Sequence, residues 1–321
     1  MRKIILDKSF IQAESQDCRR LNYLRDTDCV FVLTDTLIYE LSSGANSMQW
    51  PAAQRKLFPF ADQIEVWYHV GELLKQEIAT KKPLLSPVNQ EFTEKIRTWF
   101  RKGTIWVPPD LAEKVAEAKK QREIDTAQSA IKDSLEFSRI NPLYTRQIQK
   151  GGAMAKAAIP EVINHKEIIA WQVRREHGNP DESDLYIPGA ETGLSPEWFV
   201  YQNARSVLAL RMVYMSKYGL VNTPGKDFIH TSLDSDYASL LHYADALATN
   251  ETIGSLNDMR KWMYGDSKKL FSTDHIDASL PSHRQIELKA YQKWLDNGVT
   301  HGHHETDWFW AKRALAESIW N

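Results

Sequence analysis

Three short apolar runs, each closing on a hydroxyl or carboxyl residue, constrain this chain more than any other feature. Lys3-Ile4-Ile5-Leu6-Asp7 and Cys29-Val30-Phe31-Val32-Leu33-Thr34 lack the alternation of a half-exposed strand. Both therefore read as strands buried on two faces, as in a parallel sheet. A third run, Asp245-Ala246-Leu247-Ala248-Thr249, closes on Asn250-Glu251. Parallel neighbours need a crossover, and the polar stretch Phe10 to Leu24 supplies a helix for it. Thr34-Asp35 caps a helix from Thr36 to Leu41, which puts Glu40 in its second turn. Strand character returns at Phe228-Ile229-His230 and at Lys269 to Ser272, with a helix around Leu256 to Tyr264 between them. Alternating strands and helices define an α/β fold built on a parallel sheet flanked by helices.

Between the two ends the pattern changes. Ile64, Trp67, Val70, Leu73, Leu74 and Ile78 fall on helical spacing, so Ala61 to Thr80 reads as one helix that stops at the prolines of Lys81 to Pro87. From Gln90 to about Tyr218 the chain is helix-forming, with helices expected over Asp110 to Phe137, Ile159 to Glu176 and Pro196 to Lys217 and a polar loop at Asn179 to Ser183. The reading is a discontinuous core of residues 1–84 and 219–281, a large helical insertion over 85–218 and a C-terminal helical extension over 282–321.

Composition narrows the function. The 321 residues carry 40 basic and 42 acidic side chains, with 42% hydrophobic and 26% charged residues, which is the make-up of a soluble globular chain. A net charge of −2 means that any polyanion site is local. The best candidate is Lys95 to Arg122, with eight basic residues against three acidic ones and Trp99, Phe100 and Trp106 interleaved for base stacking. Lys95, Arg97, Arg101 and Lys102 lead that set; the competing reading is a solvated helix face with its aromatics in the core. Arg146 and Lys150 beside Gly151-Gly152 form a second, weaker set. Cys18 and Cys29 have no CxxC spacing and read as two reduced thiols. The apolar run after Met1-Arg2-Lys3 is too short for a signal peptide, and no run reaches the ~20 residues of a membrane span, so a cytoplasmic protein without a membrane partner is expected. His301, His303 and His304 read as a polar loop ahead of the helix from Asp307 to Trp320 rather than as a zinc site, and Trp308, Phe309, Trp310 and Trp320 as core or interface anchors. No Walker loop, GxGxxG, GxSxG or HExxH motif occurs.

The carboxyl ends of parallel strands converge on one edge, where ligands bind. Asp7, Glu40, Asp236 and Glu251 belong to that edge, and gathered carboxylates repel unless a divalent cation neutralises them. Oxygen donors favour magnesium or manganese. Any one such acid could equally be a turn or cap residue; Asp35 and Asp234 are read as N-caps.

These motifs resemble the PIN-domain ribonucleases. Ile4-Ile5-Leu6-Asp7-Lys8-Ser9 is similar to that family's first motif, with Asp7 as first acid and Ser9 as its supporting hydroxyl. Val32 to Leu41 resembles the second, with Glu40 as second acid. Asp234-Ser235-Asp236-Tyr237 and Asp245 to Glu251 resemble the third and fourth, with Asp236 as third acid, Glu251 as fourth, Thr249 as the small hydroxyl residue and Asp245 as another candidate for the late position. Glu251 stands where the family usually has aspartate. The resemblance implies a PIN-like sheet, Mg2+ or Mn2+ at Asp7, Glu40, Asp236, Asp245 and Glu251, and endonucleolytic cleavage of RNA. It also implies a toxin or defence effector, with an inhibitor or other partner protein. The rival expectation is a non-enzymatic protein- or nucleic-acid-binding protein on the same scaffold.

Overall fold

Buried strands need both faces covered, and the computed structural model, which describes residues 1–43, 48–107, 111–177, 195–224, 226–299 and 302–320, shows how the chain covers them. Strands β1 (Arg2–Leu6), β2 (Cys29–Leu33), β3 (Ile64–Val66), β4 (Ala246–Ala248) and β5 (Lys269–Phe271) form one sheet in the order β3-β2-β1-β4-β5, with every pairing parallel. Ile4 pairs with Phe31 on one side and Ala246 on the other. Helices α1 (Lys8–Ala13) and α2 (Arg19–Arg25) carry the chain from β1 to β2, and α3 (Asp35–Ser42) and α4 (Gln49–Leu57) carry it on to β3. Among the described residues eight α-helices lie between β3 and β4: α5 (Val70–Thr80), α6 (Gln90–Arg101), α7 (Leu111–Ile140), α8 (Pro142–Gln149), α9 (Gly152–Asn164), α10 (Lys166–His177), α11 (Phe199–Tyr218) and α12 (Lys226–Leu240). Helix α13 (Ser255–Tyr264) joins β4 to β5, followed by α14 (Thr273–Ser279), α15 (His283–Asp296) and α16 (His304–Ala316). From β1 the chain moves outward to β2 and β3, then returns to the far side as β4 and β5. The switch point of the sheet therefore lies between β1 and β4.

Two apolar cores follow. One surrounds the sheet through Ile4, Leu6, Phe31, Leu33, Leu247 and Phe271, and it takes in Ile96 and Phe100 of α6, beyond the boundary expected at residue 84. The other lies among the helices, through Ile148, Val162, Ile169, Leu208, Met212 and Tyr214. Helix α12 serves both: Tyr237, Leu240 and Leu241 enter the sheet's core, while Phe228 and Ala238 enter the second. Among the described residues no helix is long and apolar enough to cross a membrane. Both cysteines are free and buried.

Several local expectations change. Ala61 to Thr80 is not one helix: Phe58–Gln63 is a 3-10 turn, Ile64–Val66 is β3, and α5 starts at Val70. Three residues are too few to show a period, and pairing with β2 makes this segment a strand. Phe228-Ile229-His230 is helical, because Phe228 packs its ring 5.4 Å from Tyr214 and 6.1 Å from Tyr218 of α11. The first crossover is two short helices, since Cys18 adopts a positive φ of 52° and the buried Glu14 carboxylate binds Ser15 and Leu21 N–H in the turn. The helix expected over Ile159 to Glu176 divides at His165 into α9 and α10. The loop expected at Asn179 to Ser183 lies outside the described residues.

A single carboxylate ties the two cores together. Glu77 of α5 is fully buried and accepts the N–H groups of Phe199 at 3.0 Å and Val200 at 2.7 Å, the free donors at the start of α11. Leu84 N–H adds a third bond at 3.0 Å. Glu77→Ala leaves those donors buried and unpaired, and we expect a loss of about 2–4 kcal/mol in urea unfolding, with Glu77→Gln losing roughly half as much. A loss below ~0.5 kcal/mol for Glu77→Ala would contradict this role.

Candidate active site

Asp7 follows β1 directly and stands at the N-cap of α1, yet its side chain makes no capping bond. Its carboxylate instead receives two hydroxyls on the same oxygen: Ser9 Oγ donates to Oδ2 at 2.5 Å and Thr249 Oγ1 at 2.7 Å. The two hydroxyl oxygens are 3.1 Å apart. Asn250 N–H reaches Ser9 Oγ at 2.9 Å, and Glu251 N–H reaches Thr249 Oγ1 at 3.0 Å. The ends of β1 and β4 are thus laced together across the switch point, with Oδ1 of Asp7 accepting no hydrogen bond among the described residues.

Glu40 projects from α3, whose N-cap is Thr34 through a bond to Leu37 N–H; Asp35 is the first helical residue and not the cap. Glu40 Oε2 accepts the phenol of the buried Tyr237 at 2.8 Å. Burial, then the charge of Asp7, pushes the Glu40 carboxyl up to about 7, against the pull of the Tyr237 hydrogen bond and of Lys8. Asp234, on α12, is likewise pushed up to about 7 by burial and by Glu251 and Asp7, while a hydrogen bond from Ser255 and the charge of Lys217 act the other way. Glu251 is raised by burial and by Asp7, opposed by His230. Gly254, at φ +152°, turns the chain into α13 and leaves room beside Glu251, whose Oε2 would lie 3.5 Å from a Cβ at that position.

Asp234, read from the sequence as a cap, joins this electrostatic neighbourhood. Asp234 acts on Glu40 and is acted on by Glu251 and Asp7, so the four carboxylates form one electrostatic group. Asp236 points toward α3, where Thr36 Oγ1 lies 3.5 Å from its Oδ2. The N-cap reading of Asp234 fails because α12 begins at Lys226 and both aspartates are interior to it. Two residues apart on a helix, their side chains project about 200° apart, so only one can face Glu251. Asp245 belongs to the opposite edge: it precedes β4, and its Oδ2 accepts Lys3 N–H at 2.8 Å. Tyr237 and Ser255 were not singled out from sequence. The signal available was that His230, Asp234 and Tyr237 recur at helical spacing, which is visible only once residues 228–230 are read as helix.

The basic set on α6 is largely paired. Lys95 bonds Glu91 at 2.6 Å, Arg97 bonds Glu94 at 2.9 Å and the Ile64 carbonyl at 2.9 Å, and Arg101 bonds Asp62 at 2.6 Å. Lys102 is exposed. Trp99 and Trp106 stack on each other at 5.4 Å, and the Trp106 carbonyl accepts Trp50 Nε1 and Gln54 Nε2, so these rings serve packing. His303 and His304 are exposed at the start of α16, and His301 lies outside the described residues.

Among the described residues no three His, Cys, Asp or Glu side chains are grouped so as to hold a metal ion. Asp7, Glu40, Asp234 and Glu251 supply oxygen donors of the kind hard cations take, and burial together with neighbouring acids raises Glu40 and Asp234 to about 7. Residues 281–317, the α15–α16 hairpin, match a family described as a protein family of unknown function, DUF2934, and this match includes none of the acids. No curated protein and no solved structure matches the chain.

Acids whose folded pKa is raised stabilise the fold below their ordinary range near 4 and lose that contribution as pH rises through about 7. In the absence of divalent ions the melting temperature should therefore fall between roughly pH 5 and 8. Glu40→Gln and Asp234→Asn should flatten that fall, raising the pH 8 value by roughly 2–4 °C for each kcal/mol relieved. Differential scanning fluorimetry across pH checks it; variants with an unchanged slope would show the acids to be uncoupled.

Proposed function

We propose that this chain is a metal-dependent endonuclease on a PIN-like scaffold that hydrolyses phosphodiester bonds in RNA. The observation that carries the reading is the mutual coupling of Asp7, Glu40, Asp234 and Glu251, delivered by four separate segments to the switch-point edge of a parallel sheet. On this reading those four residues hold Mg2+ or Mn2+. When bound, such ions polarise the phosphoryl oxygens and lower the pKa of an attacking water. The protein's own part is positional. Ser9 and Thr249 fix Asp7 by one oxygen, and Tyr237 orients Glu40. Glu40 and Asp234 hold a proton near neutral pH when no cation is present and give it up when one binds, so cation affinity rises through pH 7.

A non-enzymatic binding protein on the same scaffold is the second reading, favoured by the absence of a three-ligand group among the described residues. The two diverge on a simple measurement. On the nuclease reading manganese raises the melting temperature, by an amount equivalent to ~2.7 kcal/mol at a hundredfold excess over Kd. Asp7→Asn abolishes both that gain and Mn2+-dependent cleavage of single-stranded RNA while keeping the circular dichroism spectrum. Undiminished cleavage by Asp7→Asn, or cleavage that survives a chelator, would refute the mechanism; no gain with manganese and no cleavage would favour the second reading.

A further inference from the structure

An RNA that reaches four carboxylates approaches a negative potential, so cations beyond them must hold its backbone. Those on α6 are paired with acids, which leaves the question of where the free positive charge lies. Helices α11 and α12 run side by side in opposite directions: Ser206 Oγ donates to the Ser235 carbonyl at 2.5 Å, Ser239 Oγ to Asn203 at 3.3 Å, and Tyr218 packs on Phe228. The last turn of α11 therefore lies beside the first turns of α12, and it carries Lys217, which is exposed. Its charge reaches Asp234, as the charge of His230, one turn before Asp234 on α12, reaches Glu251.

The junction of α8 and α9 abuts the same turn. Gly151 has φ +66°, and a Cβ built on it would stand 4.0 Å from Ser216 Oγ, the residue next to Lys217. Lys150 precedes that glycine, and Arg146 lies four residues earlier, so the two share one side of α8 at about 6 Å between Cβ atoms. Lys217, Lys150 and Arg146 are all exposed, and none makes an ion pair or side-chain hydrogen bond among the described residues.

We propose that the phosphate backbone of single-stranded RNA leaves the acidic cluster along Lys217, Lys150 and Arg146, a track contributed by the helices between β3 and β4. The inference rests on the nuclease reading and names the surface that holds its substrate. These contacts are to phosphates, so they add affinity without sequence preference.

The test is fluorescence anisotropy of the full chain with a short fluorescein-labelled oligouridylate in EDTA, over a range of salt concentrations. Each phosphate contact removed should lower the slope of log K against log salt by about 0.7, so Lys217→Gln/Lys150→Gln/Arg146→Gln loses about 2 and binds at least tenfold more weakly at low salt. Lys95→Gln/Arg101→Gln should stay within about twofold of wild type. A wild-type chain that does not bind the RNA, a triple variant within twofold of wild type, or a larger loss from the α6 pair overturns the track. Manganese-dependent melting, read on the same variants, separates the two claims. If the triple variant keeps the manganese gain and loses RNA, the track is supported. If manganese stabilises the wild type but the triple variant binds RNA normally, the track falls and the nuclease reading stands. If RNA binding depends on the track yet manganese stabilises nothing, the track stands and the nuclease reading falls.

Discussion

The rest of the structure depends on one buried carboxylate and the two hydroxyls that hold it. Asp7 is 6% exposed, close enough to Glu40, Asp234 and Glu251 for its charge to act on all three. A charge so placed is costly unless hydrogen-bonded. Ser9 and Thr249 supply two hydrogen bonds to Oδ2 of Asp7. Because Thr249 follows β4 and Ser9 follows β1, these bonds also fix the relative position of the two strands that bound the crevice. Loss of either hydroxyl would act on sheet register and on the carboxylate together. That both donate to Oδ2 matters as well, since the other oxygen of Asp7 keeps its acceptor capacity.

Helix α12 is the second constraint, because it must satisfy two cores and one site with a single stripe of sequence. Phe228 and Ala238 face the helical core, and Tyr237, Leu240 and Leu241 face the sheet. Asp234 falls between these faces, next to the crevice, and Tyr237 lies three residues on, where its phenol meets Glu40. The helices between β3 and β4 are therefore not an appendage on the sheet. By packing α11 against α12 and by having Glu77 of α5 cap α11, they set the height at which Asp234 stands beside the crevice.

What could be read from the sequence follows from how local each signal is. Strands β1, β2 and β4 were legible because uninterrupted apolar runs with polar ends need no partner to be recognised, and with them came Asp7, Ser9, Thr249 and Glu251. Strand β3 was hidden: three residues with apolar positions also compatible with a helix are decided by pairing to β2. The cap expected at Asp234 lies inside α12 for a related reason. A short Phe-Ile-His run looks like a strand, which makes the next acidic residues look like caps. Only the rings of Tyr214 and Tyr218 across the helix interface show that Phe228 is a helical core residue. The pairing of Lys95, Arg97 and Arg101 was within reach for two of the three, since Glu91 and Glu94 sit at i−4 and i−3, whereas Asp62 comes from a distant turn.

The C-terminal hairpin completes the architecture by polarity. Arg2 pairs with Glu317 and lies 4.6 Å over the Trp320 ring, Arg313 reaches Asp28 at 3.1 Å and Lys312 reaches Asp26 at 3.7 Å. Arg2 opens β1, and Asp26 and Asp28 precede β2, so these contacts gather at the edge where strands begin. The acids gather where strands end. Ala316 and Ile319 enter the sheet's core, and Trp320 meets Phe271 edge-on at 4.7 Å, which seals the β5 flank of the sheet. Phe309 and Trp310 remain exposed at 64% and 39%, with Lys289 and Lys293 within 5.5 Å and 5.0 Å of the Trp310 ring. The matched hairpin is thus anchored through its second helix and its tail, at a distance from the crevice set by the length of the strands. It closes the sheet at the edge where strands begin, and the opposite edge, with Asp7, Glu40, Asp234 and Glu251, is built by β1, β4, α3 and α12.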